Sequence, residues 1–81
     1  MVVRVVTFAR LRELLGFERR AVTLADGAAA SDAWAVLLAD APAIQALRAS
    51  TRFARNGRIV GADEALSDGD ELALLPPVGG G

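Results

Sequence analysis

The chain opens on Val2-Val3-Arg4-Val5-Val6-Thr7-Phe8, a β-branched run that is apolar on both faces of a strand. Such a run suits a central strand covered on at least one side. The period then changes. Leu11, Leu14 and Leu15 stand at i, i+3 and i+4 with Arg10, Arg12 and Glu13 opposite, and Gly16 is a natural stop, so a short helix is predicted here. Residues 19 to 24, Arg-Arg-Ala-Val-Thr-Leu, predict a second strand, with Asp26-Gly27 as the turn after it.

The main helix is expected from about Ala30 to Asp40, because Ala30, Ala33, Trp34, Leu37, Leu38 and Ala41 lie on one 3.6-residue stripe that Pro42 closes. The stripe is either core packing or a partner-binding face. In a domain with room for one core, packing is the reading adopted, with Trp34 as its anchor. Ile44 and Leu47 predict a brief helical turn. Phe53-Ala54-Arg55 and Arg58-Ile59-Val60 flank Asn56-Gly57, a strong two-residue hairpin signal. A last strand, Glu71 to Leu75, follows the turn Asp68-Gly69-Asp70. Strand, short helix, strand, long helix, hairpin and strand make an α+β roll, and the ubiquitin-like β-grasp satisfies this order: a mixed sheet crossed by one main helix, with the last strand beside the first. Residues 1–75 form the expected domain and residues 76–81 an extended tail.

Composition narrows the chemistry. The sequence has no Cys, His, Lys or Tyr, so it lacks the thiol nucleophile, the imidazole base, the Schiff-base amine and the usual nitrogen and sulfur metal ligands. Its three Ser and three Thr have no His or Lys to take a proton, and the acidic residues fall in turn-like stretches. An autonomous enzyme or a metal site is not expected. Eighty-one residues make one small domain, without disulfides. The N-terminus has no signal-peptide pattern and Asp32 and Asp40 interrupt the longest apolar stretch, so a cytoplasmic, membrane-free protein is expected. The formal net charge of −1 gives no general attraction to nucleic acid. Arg48, Arg52, Arg55 and Arg58 form a basic stretch, but Phe53 is its only aromatic, and the alternative is a solvated hairpin.

The remaining feature is the ending, Pro76-Pro77-Val78-Gly79-Gly80-Gly81. Prolines bias the backbone toward an extended conformation, and glycines leave a thread thin enough for a narrow tunnel in another protein. From Pro76 the reach is about 20 Å. The plain alternative is a frayed terminus.

The opening Phe8-Ala9-Arg10-Leu11-Arg12-Glu13-Leu14, the later Asp68-Gly69-Asp70-Glu71 and the closing Pro76-Pro77-Val78 before Gly80-Gly81 resemble, in the same order, the motifs of the small sulfur-carrier subunit of molybdopterin synthase. The resemblance spans the chain. It implies that an E1-like enzyme, using ATP and Mg²⁺, adenylates the Gly81 carboxylate, that sulfur from a donor protein makes it a thiocarboxylate, and that the tail (Pro76, Pro77, Val78, Gly79, Gly80, Gly81) enters the large synthase subunit. There sulfur passes to cyclic pyranopterin monophosphate to build the molybdopterin dithiolene, in an assembly of two small and two large subunits. No cofactor is expected on this chain itself.

The resemblance also implies docking through an apolar sheet surface bearing Phe8, Ile59 and Leu75. Phe8 and Ile59 are alternatively core residues, whereas Leu75 adjoins the stem. Asp63, Glu64, Asp68, Asp70 and Glu71 are expected mostly as solvated turn residues, which together could steer a basic partner. Two other functions share the tail chemistry. One is a sulfur carrier for thiazole or tRNA thiolation, the thiazole version being disfavoured by the FARLREL and PPV segments; the other is a protein modifier that joins Gly81 to a lysine.

Overall fold

A computed structural model describes residues 1–77, in which five strands form one mixed sheet of order β2-β1-β5-β3-β4. The strands are β1 (Val2–Thr7), β2 (Arg19–Thr23), β3 (Arg52–Arg55), β4 (Arg58–Val60) and β5 (Glu71–Leu75). β1 pairs antiparallel with β2 and parallel with β5, and β5 pairs antiparallel with β3. The last strand therefore lies in the middle of the sheet, beside the first. Asn56 and Gly57 take φ of 49° and 85° between β3 and β4, the positive values that a tight hairpin with right-handed strand twist requires.

Helix α1 (Ala9–Leu15) ends where Gly16 turns left-handed at φ 78° and its N–H reaches the Arg12 carbonyl. Helix α2 (Ala30–Asp40) has the predicted bounds. Its first turn is closed by the Asp32 carboxylate, which accepts from Ala29 N–H at 2.7 Å, and by the carbonyls of Glu64 and Ala62, which accept from Ala30 and Ser31. The brief turn expected after Pro42 is instead a nine-residue 3₁₀ helix, Pro42–Ser50. Its buried Ile44 and half-buried Leu47 are three residues apart, so on a three-residue period both face the core.

The stripe of α2 packs on one face of the sheet. Ala30, Ala33, Trp34 and Leu37 join Val3, Val5, Val22, Phe53, Leu72 and Leu74 in a single core, and Trp34 meets Phe53 edge to face at 6.4 Å. Trp34 is 5% exposed, as a core anchor should be. The Asp68-Gly69-Asp70 turn clips the approach to β5 onto the start of β1: Val2 N–H donates to the Asp68 carboxylate at 2.6 Å, Gly69 N–H to the Val2 carbonyl, and Arg4 N–H to the Asp70 carbonyl. With Gly69 at φ 86°, this turn sets the parallel register of β5 against β1. The architecture is the ubiquitin-like β-grasp.

Candidate functional site

Period-two alternation sends Val6, Ala73 and Ala54 to the sheet face away from α2. Cross-strand pairing aligns them in one row, Arg19–Val6–Ala73–Ala54–Ile59, running from edge to edge. Val6 and Ala54 are each 6% exposed yet lie outside the core cluster. The next row is Phe8–Leu75–Arg52. Phe8 continues β1 in extended conformation past the Thr7–Leu74 pair, and Leu75 pairs with Arg52.

The three residues named from the sequence as docking candidates thus share one face. Phe8 is 42% exposed and Ile59 53%, which excludes a core role for either, and Leu75 is half-buried. Phe8 adjoins Leu75, while Ile59 stands one row down and two strands across from Leu75, about 12 Å away at ordinary strand spacing and rise. Ala9, directly after Phe8, has φ 50°, a left-handed backbone unusual for alanine. This turn lets the chain leave the sheet for α1 while Phe8 keeps its strand-like place. Nothing in the sequence signals it, since alanine carries no preference for positive φ.

β5 ends at Leu75, and Pro76 and Pro77 follow as exposed, non-strand residues. They border a cleft of about 320 Å³ whose walls include Phe8, Leu11, Leu47 and Thr51. Val78, Gly79, Gly80 and Gly81, where sequence places the chemistry, lie outside the described residues.

The acidic turn differs from the solvated expectation. Asp70 is buried, accepting at 2.7 Å from Arg55 Nε and from Ser67 N–H, and at 2.9 Å from Asn56 Nδ2. Arg55 also reaches Glu64 at 3.0 Å and Ser67 Oγ at 3.2 Å. The Asp70 carboxyl is held below its ordinary range, chiefly by the Ser67 N–H, with Asn56 and Arg55 adding to that and burial opposing it. The Arg55 guanidinium is pushed upward by its hydrogen bonds to Asp70 and Glu64. The supposed basic stretch is correspondingly dispersed: Arg55 is consumed here, Arg58 lies 3.5 Å from Glu64, and Arg48 stacks on Phe53 at 4.7 Å. No helix among the described residues is long and apolar enough to cross a membrane.

The model of the ThiS family matches residues 5–81, nearly the whole chain. This chain belongs to the ThiS family. As a ThiS-family protein it is 39% identical over 83 residues to the molybdopterin synthase sulfur carrier subunit of Chlamydomonas reinhardtii, with all of both chains covered. Among solved structures it is similar to the small archaeal modifier protein 1 of Haloferax volcanii, at 32% identity and a TM-score of 0.84 over 95% of this chain and 98% of that one. It is also similar to a chain of the complex of subunits 1 and 2 of the molybdopterin-converting factor from Helicobacter pylori, at 26% identity and a TM-score of 0.71 with both chains fully covered. The ThiS-family match and these neighbours agree with the β-grasp topology seen here.

Proposed function

We propose that this chain is the sulfur-carrier subunit of a molybdopterin synthase, with Gly81 as the residue that carries the sulfur. The observation that carries this reading is the full-length similarity to a molybdopterin synthase sulfur carrier subunit. The fold supports it mechanically. β5 is held on both edges, so the Pro76-Pro77 stem starts from a rigid base beside an apolar face.

A carboxylate is a poor electrophile. An E1-like enzyme, using ATP and Mg²⁺, converts the Gly81 carboxylate into an acyl-adenylate and releases pyrophosphate. Sulfur at the sulfide level, delivered by a donor protein, then displaces AMP and leaves a thiocarboxylate. Inside the large synthase subunit the thiocarboxylate sulfur bonds to a side-chain carbon of cyclic pyranopterin monophosphate as a C–O bond of that carbon breaks and its oxygen leaves. Water then cleaves the acyl–sulfur bond, so that sulfur stays on the pterin as a thiolate and the terminus returns as a carboxylate. Two such transfers complete one dithiolene. The chain has no Cys, His or Lys, so the catalytic groups are those of its partners, and it contributes the backbone terminus and the surfaces that deliver it. The Helicobacter pylori complex supports a large subunit as partner. Pro76, Pro77, Val78, Gly79 and Gly80 serve as the inserted thread, with Phe8, Leu75 and Ile59 as apolar contacts.

The decisive experiment mixes thiocarboxylated protein with the large subunit and cyclic pyranopterin monophosphate, without ATP or activating enzyme. Dithiolene should form, and the carrier should return with a Gly81 carboxylate. A second reading, protein modification, is favoured by the similarity to a small archaeal modifier protein. It requires lysine-linked adducts bearing a Gly80-Gly81 remnant in lysates. Abundant adducts without ATP-independent pterin sulfuration would overturn the carrier assignment.

A further inference from the structure

All nine basic residues of this chain are arginines, and they divide by location. Arg10, Arg20, Arg55 and Arg58 each lie within 4.0 Å of a carboxylate, and Arg48 stacks on Trp34 and Phe53. Among the described residues Arg4, Arg12, Arg19 and Arg52 have no such ion pair. Three of these four share the open sheet face. Arg19 ends the central apolar row at β2, Arg52 closes the Leu75 row at β3, and Arg4 stands below the row beside Glu71. All three are exposed.

With three arginines against Glu71 alone, the strand positions of this face carry a formal charge of +2, while the whole chain carries −1. The acidic stretch that sequence singled out cannot oppose it fully, because Asp70 and Glu64 are engaged by Arg55 and Asp68 by the Val2 N–H. The accessible apolar side chains of this face, Phe8, Leu75, Ala73 and Ile59, therefore stand beside a cationic edge. Guanidinium groups suit that edge, since their planar donors match carboxylates in bidentate pairs and are weakly hydrated.

We propose that Arg19, Arg52 and Arg4 guide this face onto a partner surface that has an apolar centre and carboxylates at its margin. The partner committed to is the large synthase subunit, so this inference rests on the function proposed above. Charges at the edge of an interface act mainly on the encounter rate and orientation, whereas the apolar centre holds the complex once formed. Orientation matters here because Arg52 pairs across the sheet with Leu75, the last residue before the stem. Attraction at this corner brings Leu75 and the Pro76-Pro77 stem up to the partner.

The test measures association and dissociation rates of the full chain with the purified large subunit of the same organism, at ionic strengths from about 20 mM to about 500 mM, where screening becomes nearly complete. The association rate should fall at least about tenfold across that range. The double substitution Arg19→Glu with Arg52→Glu should lower it about tenfold at low salt while changing dissociation less. Arg19→Gln with Arg52→Gln should give a smaller drop in the same direction, which keeps the test valid if the charge reversal disturbs folding. Asp63→Arg should not slow association. A salt-independent association rate, or double variants within twofold of the parent, would overturn the arginine guidance while leaving the carrier role intact. Slowing by Asp63→Arg would instead assign the steering to the acidic turn and refute the inference. No binding at any ionic strength would refute both this inference and the large subunit as partner.

Discussion

Arg55 Nε donates to the Asp70 carboxylate at 2.7 Å, joining the last residue of β3 to the turn that launches β5. Asn56 completes the joint: its side chain donates to Asp70 and accepts from Glu71 N–H, both at 2.9 Å. The hairpin turn is thereby bonded to the start of the strand that leads to the stem.

Asp70→Asn should destabilise the fold even though it keeps the shape of the side chain. An amide has one acceptor oxygen, and its NH₂ would face the donors of Arg55, Asn56 or Ser67. The loss is expected to lower Tm on the order of 5–10 °C at neutral pH. Because the folded-state carboxyl titrates below its unfolded value, the stability it contributes is fully present above the unfolded value and is lost as pH falls through the folded one. The gap between wild type and variant should therefore hold from pH 7 to about pH 4 and narrow below that. Thermal melts across this range check both statements.

Ala9→Gly should stabilise the protein. The left-handed backbone costs alanine about 1–2 kcal/mol, of which the greater chain entropy of glycine cancels about 0.5–1 kcal/mol. A gain of about 0.5 kcal/mol, or roughly 2–4 °C in Tm, is expected by differential scanning calorimetry.

Leu75→Glu places a carboxylate between Phe8 and Arg52 on the open face. It should fold normally, since Leu75 is only half-buried. Binding of the large subunit should weaken at least about tenfold, because the new charge must either be desolvated or hold the two apolar surfaces apart. Unchanged affinity by titration calorimetry would remove Leu75 from the interface.

Deletion of Gly80 and Gly81 should abolish adenylation and sulfur transfer and leave Tm unchanged. Mass spectrometry after incubation with activating enzyme, ATP and sulfur donor reads the first effect. A truncated chain that still supported molybdopterin synthesis would end the carrier reading.

Local grammar made much of this fold legible. Asn56-Gly57 marked its hairpin, Gly16 its helix stop, and the Ala30–Asp40 stripe its main helix, because each signal depends on neighbours within a turn or two. The tie between Arg55 and Asp70 joins residues 15 apart, and in sequence each sat in a charge run that read as solvated. The 3₁₀ helix escaped because Ile44 and Leu47 fit the first turn of either helix type. For the candidate site, Phe8, Ile59 and Leu75 could be named from a family resemblance. That they share a face with Arg19 and Arg52 required the sheet order, which no local pattern encodes.

The strand that ends at the stem is also the last of the five to leave the ribosome, and it sits at the centre of the sheet. Before it arrives, β1 with β2 and β3 with β4 are two separate pairs, and two-stranded pieces of this kind are marginal on their own. Phe8 has no Leu75 beside it, and Arg52 no neighbour across the gap. A nascent or truncated molecule consequently offers no assembled face for another protein to read. With β5 in the middle, the face that brings Phe8, Leu75 and Arg52 together exists only once that strand has joined the two pairs into one sheet.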